Sequence, residues 1–319
     1  MRLVLAEGPL LDQIFDLTYP VWHEGLSRRA YAAWNVAQMR TGWKACRLAR
    51  LALVADDGRL LASLKRYRFD VRVDGRDGWM CGLGAIFTPP ELRGRGYATA
   101  LVERVLDEER RAGALLAGLF SEIGPDFYRR LGFEPVPFDE VTVAVERRGG
   151  APALLVRAGD ERDLPALTAM HEARAAGAAF ALRRDVETIR FALAKKRLFA
   201  GLSEPGTRQV EFFVAEEGAS AVAYVLLTMN PYGWTLEEAG DRDPAAARLG
   251  AILQVLLARE PARRPPLFRA WWPAVFPVPP QVTLTDRGTA RDLFMVRPLA
   301  GATVPRRADE VFYWRSDYF

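Results

Sequence analysis

Apolar residues in the first half of the chain recur at two spacings, which predicts a series of strands and helices. A helix from Tyr97 to Ala112 is predicted by four apolar residues that fall on one face, namely Leu101, Val102, Val105 and Leu106. Asp56-Asp57-Gly58 between two alternating segments predicts a hairpin. The other predicted elements are the strands Arg2–Ala6, Leu51–Ala55, Leu60–Phe69, Gly78–Phe87 and Ala114–Phe120, two strands after Phe133, and the helices Pro9–Leu17, Ser27–Thr41 (with Ser27 as N-cap) and Pro125–Leu131.

The pattern restarts after Arg147–Pro152, which is the best linker candidate because it is rich in arginine, glycine and proline. Both halves run strand, two helices, a meander of strands and a helix, which predicts two copies of one α/β fold. The segment from Pro298 to Phe319 shows no element of its own. The second half is predicted to contain the strands Ala153–Arg157, Val210–Ala215, Ala221–Met229 and Trp234–Glu238 and the helices Asp163–Ala176, Asp185–Ala194 and Pro244–Ala258.

Composition narrows the class of protein. The chain has 319 residues, of which 50% are hydrophobic and 26% charged, as expected for two globular domains. Acidic and basic residues are interleaved and the net charge is only +4, which argues against a nucleic-acid partner. Two cysteines and two histidines are too few for a His/Cys metal site. Because no apolar run approaches a signal peptide or the ~20 residues of a membrane helix, we expect a cytoplasmic protein without a membrane partner.

The segment with the clearest chemistry is Arg93-Gly94-Arg95-Gly96-Tyr97-Ala98, which lies between a predicted strand and a predicted helix. A helix N-terminus presents unpaired backbone N–H groups and a partial positive charge, so it attracts anions. Gly94 and Gly96 allow a phosphate to approach the backbone closely. A nucleotide-triphosphate loop is excluded because the segment has no lysine, and Gly82-Leu83-Gly84 lacks the third glycine of a dinucleotide fingerprint.

Residues 1–148 resemble the GCN5-related N-acetyltransferase (GNAT) superfamily. The resemblance rests on the Arg93–Ala98 turn and on Phe127-Tyr128-Arg129-Arg130-Leu131-Gly132-Phe133 further along the chain. It implies an α/β (α+β) fold with two tandem acetyltransferase-like domains, each a mixed, mostly antiparallel twisted sheet flanked by helices. The expected boundaries are residues 1–148 for an acetyl-CoA-binding domain, 152–298 for a degenerate second copy and 299–319 for a C-terminal tail.

The same resemblance implies roles for individual residues. Acetyl-CoA would be the cofactor, Ile86 would donate its backbone N–H to the thioester oxygen, and Tyr128 would be the general acid. In the second half, Gly240–Pro244 stands in place of the turn but carries acids and lacks its glycines, so this copy is expected not to bind the cofactor. The residues expected to bind the cofactor are Ala85, Ile86, Phe87, Arg93, Gly94, Arg95, Gly96, Tyr97 and Ala98.

Two longer phrases, Phe87–Gly94 and Phe120–Tyr128, look like the yeast-type lysine N6-acetyltransferases. The tandem layout also resembles the enhanced-intracellular-survival acetyltransferases, in which the terminal carboxylate reaches the site. Three candidates for the general base follow: Glu122 first, Glu24 second, and the carboxylate of Phe319 third.

The sequence thus predicts an acetyl-CoA-dependent N-acetyltransferase that acts on a primary amine of a small molecule, such as an amino acid or a polyamine. Two alternatives stay open, a protein-lysine acetyltransferase and an acyl-CoA sensor or scaffold without turnover. A homo-oligomer is compatible with the sequence.

Overall fold

The structure is a computed structural model that describes residues 1–40, 43, 47–136, 138–146, 154–259 and 267–319. Its helices are α1 Gly8–Trp22, α2 Arg28–Arg40, α3 Tyr97–Arg111, α4 Asp126–Arg129, α5 Leu164–Ala175, α6 Val186–Leu202 and α7 Ala247–Arg259. Its strands are β1 Arg2–Leu5, β2 Leu48–Val54, β3 Leu60–Val73, β4 Arg76–Phe87, β5 Leu116–Ser121, β6 Glu134–Pro135, β7 Asp139–Val145, β8 Leu155–Ala158, β9 Phe180–Leu182, β10 Gln209–Glu217, β11 Ser220–Asn230, β12 Gly233–Asp241, β13 Leu267–Trp271, β14 Val282–Thr289, β15 Leu293–Pro298 and β16 Val311–Phe312.

The chain divides into two compact units. The first unit contains Met1–Val136, Arg291–Arg306 and Phe319, and the second contains Pro137–Ala290 and Arg307–Tyr318. Neither unit is continuous in sequence, because each includes a segment from the other half of the chain.

The first unit is built on a mixed sheet with strand order β1-β2-β3-β4-β5-β15-β6. Neighbouring strands are antiparallel except β4 and β5, which are parallel and are joined by α3. One face of the sheet packs on α3, whose buried residues Leu101, Val102, Val105 and Leu106 are those that the helical spacing predicts. α1 and residues of β1–β3 enclose a second apolar cluster around Ile14 and Ala52.

The second unit repeats this arrangement, with strand order β14-β7-β13-β12-β11-β10-β8 and one parallel pair, β12 and β13, joined by α7. Its core includes residues of α7 and of the central strands, such as Leu253, Leu227 and Leu236. A buried arginine, Arg184, bonds to Glu238 and Asp317 and so ties residues near the end of the chain to this unit.

Each half of the sequence contributes one strand to the unit formed mainly by the other half. β7 lies between β13 and β14 of the second unit, and β15 lies between β5 and β6 of the first. The units therefore differ from the sequence-based boundaries at 148, 152 and 298. Strand pairing over long sequence separations causes the difference, because β7 pairs with β13 and β14, and β15 pairs with β5 and β6, all far away along the chain. The proposed linker, Arg147–Pro152, lies outside the described residues.

Most of the predicted elements are observed, with shifted ends. α1 runs on to Trp22 instead of Leu17 and contains Pro20. Ser27 accepts a hydrogen bond from the Ala30 N–H at 3.2 Å, as its predicted N-cap role requires. The segment after Pro298, predicted to have no element, contains β16. No helix in the described part of the chain is long and apolar enough to cross a membrane.

A buried ion pair fixes α3 on the sheet. Glu109 of α3 accepts hydrogen bonds from Arg66 at 2.8 Å and from Arg68 at 3.0 Å, both on β3. Such a pair contributes little net stability after desolvation, but its geometry restricts how the helix can slide or rotate. The N-terminus of α3 is therefore held in a defined position relative to the strands.

Candidate active site

A bulge interrupts β4 at the position where the resemblance expects the thioester. Ser63 pairs with Phe87 and Lys65 with Gly84, so Leu64 of β3 lies opposite two residues, Ala85 and Ile86. Ala85 has φ +46°, a left-handed conformation that non-glycine residues adopt rarely and at a cost of about 1–3 kcal/mol. Because a bulge redirects the backbone groups of its strand, those of Ala85 and Ile86 leave the regular pairing pattern.

Pairing between β4 and β5 ends just before this bulge. The parallel ladder runs from Met80 and Leu116 to Leu83 and Leu119, although both strands continue beyond that point. An edge strand whose N–H and C=O groups have no partner strand can pair with another extended chain. The end of β4, Ala85–Phe87, therefore suits the extended arm of a ligand such as coenzyme A.

The turn after β4 leads into the N-terminus of α3. Gly94 and Gly96 have φ +75° and +79°, and a Cβ at either position would meet nothing within 4 Å. No side chain caps the helix at Gly96, and its first turn contains no acidic residue. The amides at this end are therefore open to an exogenous anion, and the exposed Arg93 and Arg95 add positive charge.

The corresponding turn of the second unit already holds an anion of its own. Asp241 accepts hydrogen bonds from the N–H of Asp243 and the N–H of Leu249, both at 2.8 Å. Leu249 is in the first turn of α7, so the Asp241 carboxylate takes the place that a phosphate would have at this helix. This arrangement gives a physical reason for the expectation that the second copy does not bind the cofactor.

Tyr128 lies on α4 and is buried, with its ring edge-on to those of Phe127 and Phe133. Burial, together with the nearby carboxylate of Glu122, raises the pKa of the Tyr128 phenol to about 12. The phenol therefore carries its proton at neutral pH. Glu122 itself is exposed and follows directly after β5.

Phe319 lies against the face of β4 that carries Gly82 and Gly84. Its ring is 4.9 Å from the ring of Phe69 and 5.4 Å from that of Phe120. A Cβ on Gly82 would lie 2.8 Å from the Phe319 ring, and one on Gly84 would lie 3.5 Å from its main-chain oxygen. The two glycines thus make room for Phe319 beside the bulge.

The structure brings most of the expected residues into one region of the first unit. Glu122 and Tyr128 interact electrostatically, and Phe319 adjoins the residue before Ala85. Glu24 is exposed and lies two residues after Trp22, whose ring is 6.2 Å from that of Phe87. Within the described ranges, His, Cys, Asp and Glu side chains form no group of three or more that could hold a metal ion.

The role of Gly82 and Gly84 was missed by the sequence-based reasoning. In sequence they resemble the start of a dinucleotide fingerprint, but their spacing of two residues places both on one face of a strand. Glycines repeated on one face of a strand indicate that another chain segment approaches closely, and this signal was available.

Several solved structures share this fold over nearly the whole chain. The GCN5-related N-acetyltransferase from Kribbella flavida has a TM-score of 0.67 at 20% identity, covering 93% of this chain and 70% of that one. The GCN5-related N-acetyltransferase from Anabaena variabilis has a TM-score of 0.68 at 14% identity, covering 94% of this chain and 73% of that one. Eis1 from Mycobacterium abscessus has a TM-score of 0.57 at 16% identity, covering 94% of this chain and 74% of that one. These likenesses confirm the α/β (α+β) fold, with two mixed sheets flanked by helices.

Sequence comparison adds the family. No curated protein matches the chain. The family model described as acetyltransferase (GNAT) domain matches residues 10–136, which include the β4 bulge, the Arg93–Ala98 turn and Tyr128. Residues 10–136 therefore form an acetyltransferase (GNAT) domain, and through this domain the chain is an N-acyltransferase.

Proposed function

We propose that the first unit binds acetyl-CoA between β4 and β5 and transfers its acetyl group to a primary amine of a small molecule. One observation carries the proposal. The open end of β4, the uncapped N-terminus of α3 and the buried phenol of Tyr128 occur together within the 10–136 match. Acetyl-CoA, which proteins of this family generally use, would supply the thioester and its acetyl group.

The residues of the first unit fit this cofactor. Gly94 and Gly96 leave open space over the amides that would bind a pyrophosphate. Ala85, Ile86 and Phe87 offer strand-type backbone groups to an extended arm, with Ile86 N–H as the proposed donor to the thioester oxygen. Arg93, Arg95, Tyr97 and Ala98 complete the proposed binding set.

Gly96→Glu should abolish binding of coenzyme A, because it adds bulk and negative charge at the amides of the turn. The affinity is measured by calorimetry with the purified full chain. Gly58→Glu is the matched control, since Gly58 also has positive φ (+85°) and open space around its Cβ position. Unchanged affinity in Gly96→Glu, or equal loss in both variants, would contradict the proposed site.

Tyr128 is proposed to assist departure of the thiol. A phenol with a pKa of about 12 is a weaker acid than a thiol of pKa ~8.5, so complete proton transfer in advance would be uphill by roughly 5 kcal/mol. The Tyr128 Oη–H would therefore donate a hydrogen bond to the sulfur of a bound thioester and would supply the proton that the thiolate leaving group takes up. Its burial excludes water from this step.

Tyr128→Phe should lower kcat by about 10²- to 10⁴-fold, the usual contribution of a positioned proton donor. The affinity for coenzyme A should not change, because the ring and its packing are kept. Steady-state kinetics and calorimetry on the same preparation measure both. A variant with wild-type kcat would rule out the proposed role.

Glu122 is proposed to accept the proton of the incoming amine. An alkyl amine of pKa ~10.4 is almost entirely protonated at neutral pH, so attack requires removal of a proton. Glu122 lies at the end of β5, close enough to Tyr128 to raise the pKa of its phenol. The carboxylate of Phe319, over Gly84, is a further candidate acceptor in this region.

Glu122→Gln should reduce turnover at pH 7 by about 10²-fold. The deficit should shrink as the pH approaches ~10, because the amine then loses its proton unaided. The pH profile of kcat/KM measures this rescue. If Glu122→Gln is fully active and removal of Phe319 is not, the acceptor is the Phe319 carboxylate. Phe319→Leu keeps that carboxylate but removes the aromatic ring, so comparing it with the deletion shows which of the two groups matters.

The acceptor class is tested by release of free thiol from acetyl-CoA in the presence of different amines. The panel contains free amino acids, polyamines, aminoglycosides and a lysine-containing peptide. We expect acceptor-dependent release with a small amine. Release with the peptide alone would instead identify a protein-lysine acetyltransferase, and binding of acetyl-CoA without any release would indicate a sensor or scaffold.

A further inference from the structure

Arg50 is a buried cation whose guanidinium group finds no hydrogen-bond partner in the part of the chain that the structure describes. It lies in the middle of β2 and is only 1% exposed. All three nitrogens of its guanidinium group are closed to solvent and have no hydrogen-bond partner among the described residues. The residues just before β2 that lie outside the described ranges include no aspartate or glutamate.

The guanidinium nevertheless stays charged. Burial lowers the pKa of Arg50 to about 10, and Tyr31 and Tyr67 partly offset this effect. At neutral pH the group is therefore still protonated. An uncompensated buried charge is strongly destabilising, and an unsatisfied buried group of this kind often marks the place of a missing ion or ligand.

Arg50 lies in a row of residues that leads across the sheet to the β4 bulge. It pairs in register with Lys65 of β3, and Lys65 pairs in register with Gly84 of β4. Residues that pair in register point to the same face of a sheet. Adjacent strands are ~4.8 Å apart, so the backbone of Arg50 is about 10 Å from that of Gly84.

The same face of the sheet carries a second cation, Lys65, which could attract an acidic group of the substrate. The Lys65 ammonium lies 5.1 Å from the centre of the Trp34 ring, which keeps a second positive charge in this row. Gly84 immediately precedes Ala85 and Ile86, the residues proposed to hold the thioester. The row therefore connects the buried guanidinium of Arg50 with the point where the amine is proposed to react.

We propose that Arg50 binds the carboxylate of the acceptor, so that the substrate is an amine that carries a carboxylate, such as a free amino acid. The planar guanidinium matches a carboxylate in shape, because the two groups can form two parallel hydrogen bonds. It also matches in charge, since one positive charge faces one negative charge. Binding requires the side chains that cover Arg50 to move. This inference rests on the proposed acetyl transfer for the identity of the amine, whereas the anion site can be tested without it.

The test compares amino acids with the amines that remain when their carboxylate is removed, namely lysine with cadaverine and ornithine with putrescine. Calorimetry without acetyl-CoA measures binding to the wild type, to Arg50→Met and to Arg50→Lys, at one fixed chloride concentration. We expect an amino acid to bind at least about 10-fold more tightly than its amine, and Arg50→Met to abolish this preference. Arg50→Lys should keep part of it.

Kinetics give the second readout. Arg50→Met should raise the KM for the amino acid about 10- to 100-fold and leave the KM for the matching amine unchanged. Arg76→Met, which removes an exposed arginine of the same sheet, should change neither value. Thermal unfolding of Arg50→Met should match or exceed that of the wild type, since replacing an unpaired buried charge by an apolar side chain removes its desolvation cost.

Three results would overturn the inference. One is equal binding of both members of every pair, or no binding of either member. Another is a preference that survives in Arg50→Met. The third is failure of Arg50→Met to fold, which would mean that the guanidinium has a structural partner. A carboxylate preference without any acetyl transfer would refute the proposed function alone, and transfer without the preference would refute the anion site alone.

Discussion

Strands β4 and β5 are parallel but remain paired only as far as Leu83 and Leu119, and the layout of the candidate site follows from where this pairing ends. The extra residue at Ala85–Ile86 interrupts the regular ladder of β4 with β3, while Pro89 and Pro90 prevent the strand from continuing. The chain must then turn before α3, whose own position is fixed by the bonds of its Glu109 to Arg66 and Arg68 of β3. An open strand end and an open helix end thus occur in one short segment.

The two units share one architecture but differ at the turn that leads into the helix after the central strands. In the first unit, glycines with positive φ leave the amides of α3 uncapped. In the second, the carboxylate of Asp241 bonds to the amide of Leu249 in α7. A side chain that supplies its own anion stabilises the helix, and it also removes the place where a phosphate could bind. The second copy therefore keeps the sheet and loses the anion site.

The sequence predicts those elements that a few adjacent residues specify. The Arg93–Ala98 turn, α3 with its apolar face, and the segment around Tyr128 all lie close to their predicted positions, because a few adjacent residues specify each of them. The exchange of β7 and β15 could not be predicted, since the buried residues of a strand do not indicate which distant strand they pair with. The two glycines signal that some segment approaches Gly82, but that the segment is Phe319, like the lack of a hydrogen-bond partner for Arg50 among the described residues, depends on contacts between distant parts of the chain. A single arginine in a strand pattern normally indicates an exposed position.

The cofactor is proposed to bind the first unit alone, so the most direct test is a crystal structure of the full chain with coenzyme A. We predict electron density for the pyrophosphate within hydrogen-bond distance, about 3 Å, of the amides between Gly94 and Ala98. The extended arm of the ligand should lie beside Ala85–Phe87, with its sulfur near Tyr128. Density at the N-terminus of α7, or at a position away from the β4 bulge, would contradict the account.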